Sequence, residues 1–152
     1  MNQKTHVIDM KLVPLFQSDE GLRDRRRHIE DILGAPLPQD YVDFLHRMNG
    51  ASLPDRKEFG IKVNDGSYTD LCVLYGSGEA VYNAARLEYW LNKRPQPKSL
   101  IVGSDSGGNI FWLPLLPQDY GTVYFKQDDY PEADGPVAKS WSAFLELGND
   151  SV

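Results

Sequence analysis

The sequence predicts an α+β fold with antiparallel strand pairing. Two helical segments come first, followed by strands, a third helix, a block of strands and a closing helix. Short turns join neighbouring strands, which favours antiparallel pairing because parallel strands need longer crossovers. The 152 residues are 41% hydrophobic and 25% charged, an ordinary globular composition. We therefore expect one domain over residues 1–152, with residues 1–18 as an N-terminal extension.

Apolar spacing and end signals predict the first two helices. Residues 19–33 form an amphipathic helix, and Gly34 can end it in the left-handed conformation. Its apolar positions are Leu22, Ile29, Ile32 and Leu33. The second helix has Pro38 in its first turn and Asn49-Gly50 at its end. Its apolar face, at the spacing i, i+3, i+4, i+7, is Tyr41, Phe44, Leu45 and Met48.

Alternating apolar residues and turn sequences predict the strands. Residues 59–63 alternate as in a half-buried strand, Asn64-Asp65-Gly66 makes a turn, and residues 69–75 are the expected antiparallel partner. A third helix is predicted over residues 79–93. Residues 100–102 and 110–113 are expected to pair as a hairpin, and residues 122–125 form one more strand.

The final helix is predicted from its cap. Ser140 can accept a hydrogen bond from the first turn of a helix that carries Trp141, Phe144 and Leu145 on its apolar face.

All of the net charge of −6 lies in the last third of the chain, where residues 99–152 hold two basic and eight acidic side chains. Four of the acids fall between Asp128 and Asp134. Such a field repels phosphate backbones and attracts basic partners. A solvated acidic loop that aids solubility is an equally good interpretation of this segment.

Candidate catalytic and ligand-binding residues do not assemble into a recognisable motif. Ser106, which two glycines follow, would need a histidine base, but His28 and His46 lie in predicted helices. Cys72 is the only cysteine, and we expect no metal site, no cofactor and no enzymatic activity. The arginines at positions 23 and 25–27 spread around a helix, so nucleic-acid binding is not expected.

A cytoplasmic location is expected, because no apolar run reaches the length of a membrane helix or of a signal peptide. The longest such run, Ile110 to Pro117, spans eight residues.

Several short motifs follow one another in a characteristic order over residues 20–147. They are Glu30, Leu33-Gly34, Leu37-Pro38, Tyr41, Phe44-Leu45, Asn49-Gly50, Leu74-Tyr75-Gly76, Ile101-Val102-Gly103-x-Asp105-x-Gly107-Gly108-Asn109, Val123-Tyr124 and Ser140-Trp141-x-x-Phe144-Leu145. In this order the chain resembles the SUKH superfamily, specifically the Smi/Knr cell-wall-regulator homology group. The resemblance implies an α+β fold in which helices pack around an antiparallel sheet, and a non-catalytic role.

Compact bacterial members of that group are typically immunity proteins, which bind and neutralise polymorphic or contact-dependent toxins such as nucleases. The resemblance therefore implies a basic toxin domain as the partner, with neither nucleic acid nor membrane bound. We predict that the partner contacts Asp105, Asp128, Asp129, Tyr130, Glu132 and Asp134. Two alternatives stay open: a cytoplasmic regulatory or scaffolding module like the fungal relatives, and a hydrolase using Ser106.

Overall fold

A seven-stranded antiparallel sheet organises the residues that the computed structural model describes, namely 13–14, 22–48, 50–52, 60–75, 98–127 and 131–147. Its strands are β1 (Val13–Pro14), β2 (Ala51–Ser52), β5 (Val73–Leu74), β6 (Ser99–Ser104), β7 (Ile110–Pro114), β8 (Val123–Lys126) and β9 (Gly135–Ala138), in that spatial order. A separate two-stranded sheet pairs β3 (Ile61–Lys62) with β4 (Tyr68–Thr69). The helices are α1 (Leu22–Leu33), α2 (Gln39–Arg47) and α3 (Trp141–Glu146), with a short 3-10 helix at Pro131–Ala133. The predicted α+β class is confirmed.

Helix α1 ends as predicted at Gly34, which has a φ of 73° and whose amide donates to the Glu30 carbonyl oxygen at 2.8 Å. Among the side chains of α1 that the structure describes, Ile29 and Leu33, one turn apart, are buried. The prediction that Ile32 also faces the core is wrong, because its side chain is 43% exposed at the border of the apolar stripe.

Helix α2 buries the face that its spacing predicted, including Tyr41, Phe44 and Leu45. Pro38 precedes the helix as its N-cap residue instead of entering its first turn. The N-cap has no side-chain hydrogen bond, but the Asp40 carboxylate accepts from the amides of Tyr41 at 2.9 Å and Ser142 at 3.0 Å. One carboxylate thereby joins the first turns of α2 and α3.

Aromatic rings fill the space between the helices and the sheet. Trp141 meets Tyr41 edge-on at 4.8 Å and Phe44 at 5.1 Å between ring centroids. Phe111 lies 5.2 Å from both Phe125 and Phe144, so β7, β8 and α3 share one cluster. The Ser140 hydroxyl accepts from the Ala143 amide at 3.0 Å, which confirms the predicted cap of α3.

The predicted β6–β7 hairpin is confirmed, and its core face holds Phe111 and Leu113. The prediction for residues 69–75 is only partly right. Thr69 pairs with Ile61, but Val73 and Leu74 leave that hairpin and join β2 and β6 in the larger sheet. Strand β9 was not predicted, because it is an edge strand whose glycine and proline have low strand propensity. The predicted helix over residues 79–93 and the strand residue Phe59 lie outside the described residues.

None of the helices in the described ranges combines the length and the apolar composition that crossing a bilayer requires.

We predict that Gly103→Ala destabilises the sheet. A Cβ at this position would lie 2.8 Å from the Val73 carbonyl oxygen, so the backbone of β5 or β6 must move. We expect a loss of about 1–3 kcal/mol in the free energy of unfolding, measured by urea denaturation. Gly60→Ala is the matched control, because its Cβ would meet Tyr68 at an ordinary 3.6 Å. Equal effects of the two substitutions would contradict the close approach of β5 to β6.

We also predict a loss of stability at alkaline pH that depends on Tyr41. Burial raises the pKa of Tyr41 well above its ordinary value of 10.0, and its hydroxyl donates to the Tyr75 carbonyl oxygen at 3.0 Å. The folded chain therefore keeps a proton that the unfolded chain loses above pH 10. The stability that Tyr41 contributes is fully present below pH 10 and falls by about 1.4 kcal/mol per pH unit above it.

Urea denaturation between pH 8 and pH 11 measures this dependence. The free energy of unfolding of Tyr41→Phe should decline less steeply with pH, because the phenylalanine ring has no proton to release. A residual slope is expected, since burial also raises the pKa values of Tyr120 and Tyr124. An unchanged slope in Tyr41→Phe would contradict the assignment.

Candidate protein-binding surface

Four strand termini meet at one end of the large sheet. Because the strands are antiparallel, the last residues of β6 and β8 lie beside the first residues of β7 and β9. Ser104 pairs with Ile110, which pairs in turn with Lys126. The loops that leave this end carry most of the acidic residues singled out in the sequence.

The Asp105 carboxylate organises the loop between β6 and β7. Its Oδ1 accepts from the amides of Gly107 at 3.0 Å and Asn109 at 2.8 Å. Its Oδ2 accepts from the Asn109 side-chain amide at 2.9 Å and from the Thr69 hydroxyl at 2.6 Å. Gly108 completes the turn with a φ of 84°. Four donors therefore surround one carboxylate.

This geometry corrects the prediction that Asp105 contacts a partner. The residue is only 4% exposed, and both carboxylate oxygens are occupied by donors of the chain itself. A carboxylate buried in this way satisfies its hydrogen-bonding capacity internally. Asp105 therefore shapes the surface from beneath and is not part of it.

The β3–β4 hairpin is fixed to this end of the sheet at two places. Thr69 bonds to Asp105, and the Ser106 amide donates to the Asp70 carboxylate at 2.9 Å. On the other side, the Asn64 amide and its side-chain nitrogen donate to the Ala133 carbonyl oxygen at 3.4 and 3.3 Å. The hairpin thus bridges the β6–β7 loop and the short helix at Pro131–Ala133.

Carboxylates from three separate segments share the resulting surface, which we call the acidic end. Its members are Asp65, Asp70, Glu132 and Asp134. Asp65 and Glu132 are exposed, while Asp70 and Asp134 are half-buried. Asp134 accepts from the Gln127 amide at 2.7 Å. Hydrogen bonds from the Ser67 hydroxyl and amide lower the pKa of Asp65, which favours its ionised form.

The acidic end is net negative in the part of the chain that the structure describes. The region holds five carboxylates, counting the buried Asp105, and two cations, Lys62 and Lys126. The predicted contacts Asp128, Asp129 and Tyr130 lie outside the described residues, between Gln127 and Pro131. Of the predicted contacts, the structure thus brings Glu132 and Asp134 together.

We did not predict that Asp65 and Asp70 lie on the same surface as Glu132 and Asp134. The local signal was present, because Asp65 sits in the turn that the sequence predicted and turn tips are exposed. The missing information was the long-range contact of Asn64 with Ala133, which no local pattern reports.

The candidate catalytic residues lie on separate elements. His28 and His46 are exposed on α1 and α2, whereas Ser106 lies at the tip of the β6–β7 loop. Across the described ranges, no group of three or more His, Cys, Asp or Glu side chains is arranged to hold a metal ion.

The basic residues of α1 lie on a different element from the members of the acidic end. Arg23 and Arg27 are exposed, and the Arg26 guanidinium lies 3.5 Å from the Glu30 carboxylate. The connection from α1 to α2 contacts the opposite end of the sheet, where the Tyr120 hydroxyl donates to the Pro36 carbonyl oxygen at 2.7 Å.

We predict that Asp105→Ala is strongly destabilising. The substitution leaves the buried donors of Thr69 and Asn109 without their acceptor and frees the hairpin on one side. We expect a loss of about 2–4 kcal/mol in the free energy of unfolding, measured by urea denaturation at pH 7. Asp31→Ala, at an exposed position on α1, is the control and should change stability by less than about 0.5 kcal/mol. A small effect of Asp105→Ala would show that the carboxylate does not organise the loop.

The comparison with protein families agrees with the resemblance seen in the motifs. None of the curated proteins compared with this chain matches it. Residues 26–147 match the model of the SMI1 / KNR4 family (SUKH-1), which is well over half of the 152 residues. The match and the antiparallel α+β fold together show that the chain belongs to the SMI1 / KNR4 family (SUKH-1).

Proposed function

We propose that this protein is a non-catalytic immunity protein, which neutralises a cognate bacterial toxin by binding it through the acidic end. The observation that carries the proposal is the convergence of carboxylates from the β3–β4 turn, the residue after β4 and the Pro131–Asp134 segment on one surface. Family membership supports a protein partner in general terms. The cytoplasm is the proposed site of action.

Charge complementarity supports a basic partner. Toxins that act on nucleic acids hold phosphates and therefore present basic active surfaces. Electrostatic attraction would steer the acidic end to such a surface and raise the association rate by roughly 10–1000-fold at low ionic strength. Like charges would also keep the acidic end away from nucleic acid itself.

The arrangement of the acidic end favours recognition. The Asp105 network and the Asn64–Ala133 contact hold its segments in one geometry before any partner arrives. A surface that is ordered in advance loses less conformational entropy on binding. Its outermost carboxylates, Asp65 and Glu132, stay exposed for a partner.

The test is a charge-matched pair of triple variants. The first is Asp65→Asn, Glu132→Gln and Asp134→Asn at the acidic end. The control is Asp24→Asn, Asp31→Asn and Asp43→Asn on the exposed faces of α1 and α2. Both remove three negative charges, so overall charge cannot account for a difference between them.

On the proposed function a toxin gene lies beside this one, and the probe is a catalytically inactive form of its C-terminal toxin domain. We expect the acidic-end variant to associate at least about tenfold more slowly at low salt, while the control stays within about twofold of the wild type. Adding Asp128→Asn and Asp129→Asn should slow association further. Surface plasmon resonance at several salt concentrations measures both rate constants.

Two outcomes would contradict the proposal. Equal losses in both variants would show that binding does not use the acidic end. A wild-type chain that fails to bind the toxin domain, and binds cell-wall signalling proteins instead, would favour the regulatory module.

A further inference from the structure

Tyr68 is the most exposed large hydrophobic side chain among the described residues. It is 70% exposed, compared with 43% for Ile32 and 41% for Tyr120. An exposed ring of this size contributes little to folding, because little of its apolar surface leaves water. Single exposed apolar side chains are common, so the significance of Tyr68 depends on how the surrounding backbone holds it.

The β3–β4 hairpin presents Tyr68 on a fixed backbone. The inner face of the hairpin buries Ile61 and Val63 in the core, and the outer face carries Lys62 paired with Tyr68. Gly60 lies beside the ring, since a Cβ there would meet Tyr68 Cδ1 at an ordinary contact distance of 3.6 Å. The contacts of Asn64 and Thr69 hold both ends of the strand pair.

The neighbours of Tyr68 in the chain belong to the acidic end. Asp65 lies at the turn before it and Asp70 follows β4, so two carboxylates flank Tyr68 along the chain. Interfaces concentrate their binding energy in a few aromatic or arginine anchors surrounded by polar contacts. Tyrosine suits this role because its large ring has only two side-chain torsions to fix.

We propose that Tyr68 is the anchor of the acidic end and inserts into an apolar pocket of the toxin domain whose rim carries lysine or arginine. This inference rests on the proposed function and adds the chemistry of the partner's surface to it. The charges of Asp65 and Asp70 select the basic rim, and the ring fills the pocket. Charged groups then act mainly on the rate of association, and Tyr68 acts mainly on the rate of dissociation.

The test compares the binding of Tyr68→Ala and Tyr120→Ala to the same inactive toxin domain. Both substitutions remove an exposed tyrosine, and Tyr120 lies at the opposite end of the sheet. We expect Tyr68→Ala to raise the dissociation rate at least about 30-fold with less than a twofold change in association rate. Tyr68→Phe should keep most of the affinity, and Tyr120→Ala should bind within about threefold of the wild type.

Thermal unfolding of each variant checks that the fold persists, which we expect for Tyr68→Ala because the ring is exposed. If Tyr68→Ala binds like the wild type while the acidic-end triple variant binds slowly, the anchor is wrong and the proposed function stands. If the wild type does not bind the toxin domain, the anchor and the proposed function are both overturned.

Discussion

The acidic end depends on one buried carboxylate. Asp105 sits at the tip of the β6–β7 hairpin, and removing it from water is costly unless every lone pair finds a donor. Two backbone amides and the side chains of Asn109 and Thr69 supply those donors. Because Thr69 belongs to β4, the same carboxylate that closes one hairpin also positions another. The exposed acids and Tyr68 owe their common surface to this cross-link.

The carboxylates that the structure describes differ in exposure and in how far along the chain their hydrogen bonds reach. Asp105 and Asp40 accept backbone amides, and so does Glu30, whose Oε2 accepts from the Leu37 amide at 2.7 Å. These groups join segments that are distant in sequence or stabilise the entry to a helix. Glu132 and Asp65 remain at the surface, where their charge is available to a partner. The negative charge of the chain is therefore partly structural, and counting acids overstates the binding surface.

Local patterns in the sequence predicted local structure well. The spacing in α2, the glycine at the end of α1, the β6–β7 hairpin and the Ser140 cap are all found in the structure, because each depends on residues a few positions apart. We did not predict that the chain leaves the β3–β4 hairpin after β4 and enters the large sheet as β5. This change depends on hydrogen bonds of Thr69 with Asp105 and of Ser106 with Asp70, which join residues 36 positions apart. The role of Asp105 was misjudged for the same reason. An exposed and a buried aspartate in a turn look alike until the tertiary donors are known.

The most direct test is hydrogen–deuterium exchange of the chain, free and bound to the inactive form of the cognate toxin domain. We expect slower exchange on binding in residues 61–70 and 131–135, which include the acidic end and Tyr68. Exchange in residues 30–37, where α1 leads into α2 at the opposite end of the sheet, should not change. Protection of residues 30–37 with no change in residues 61–70 would contradict binding through the acidic end, because the partner would then occupy the other end of the sheet.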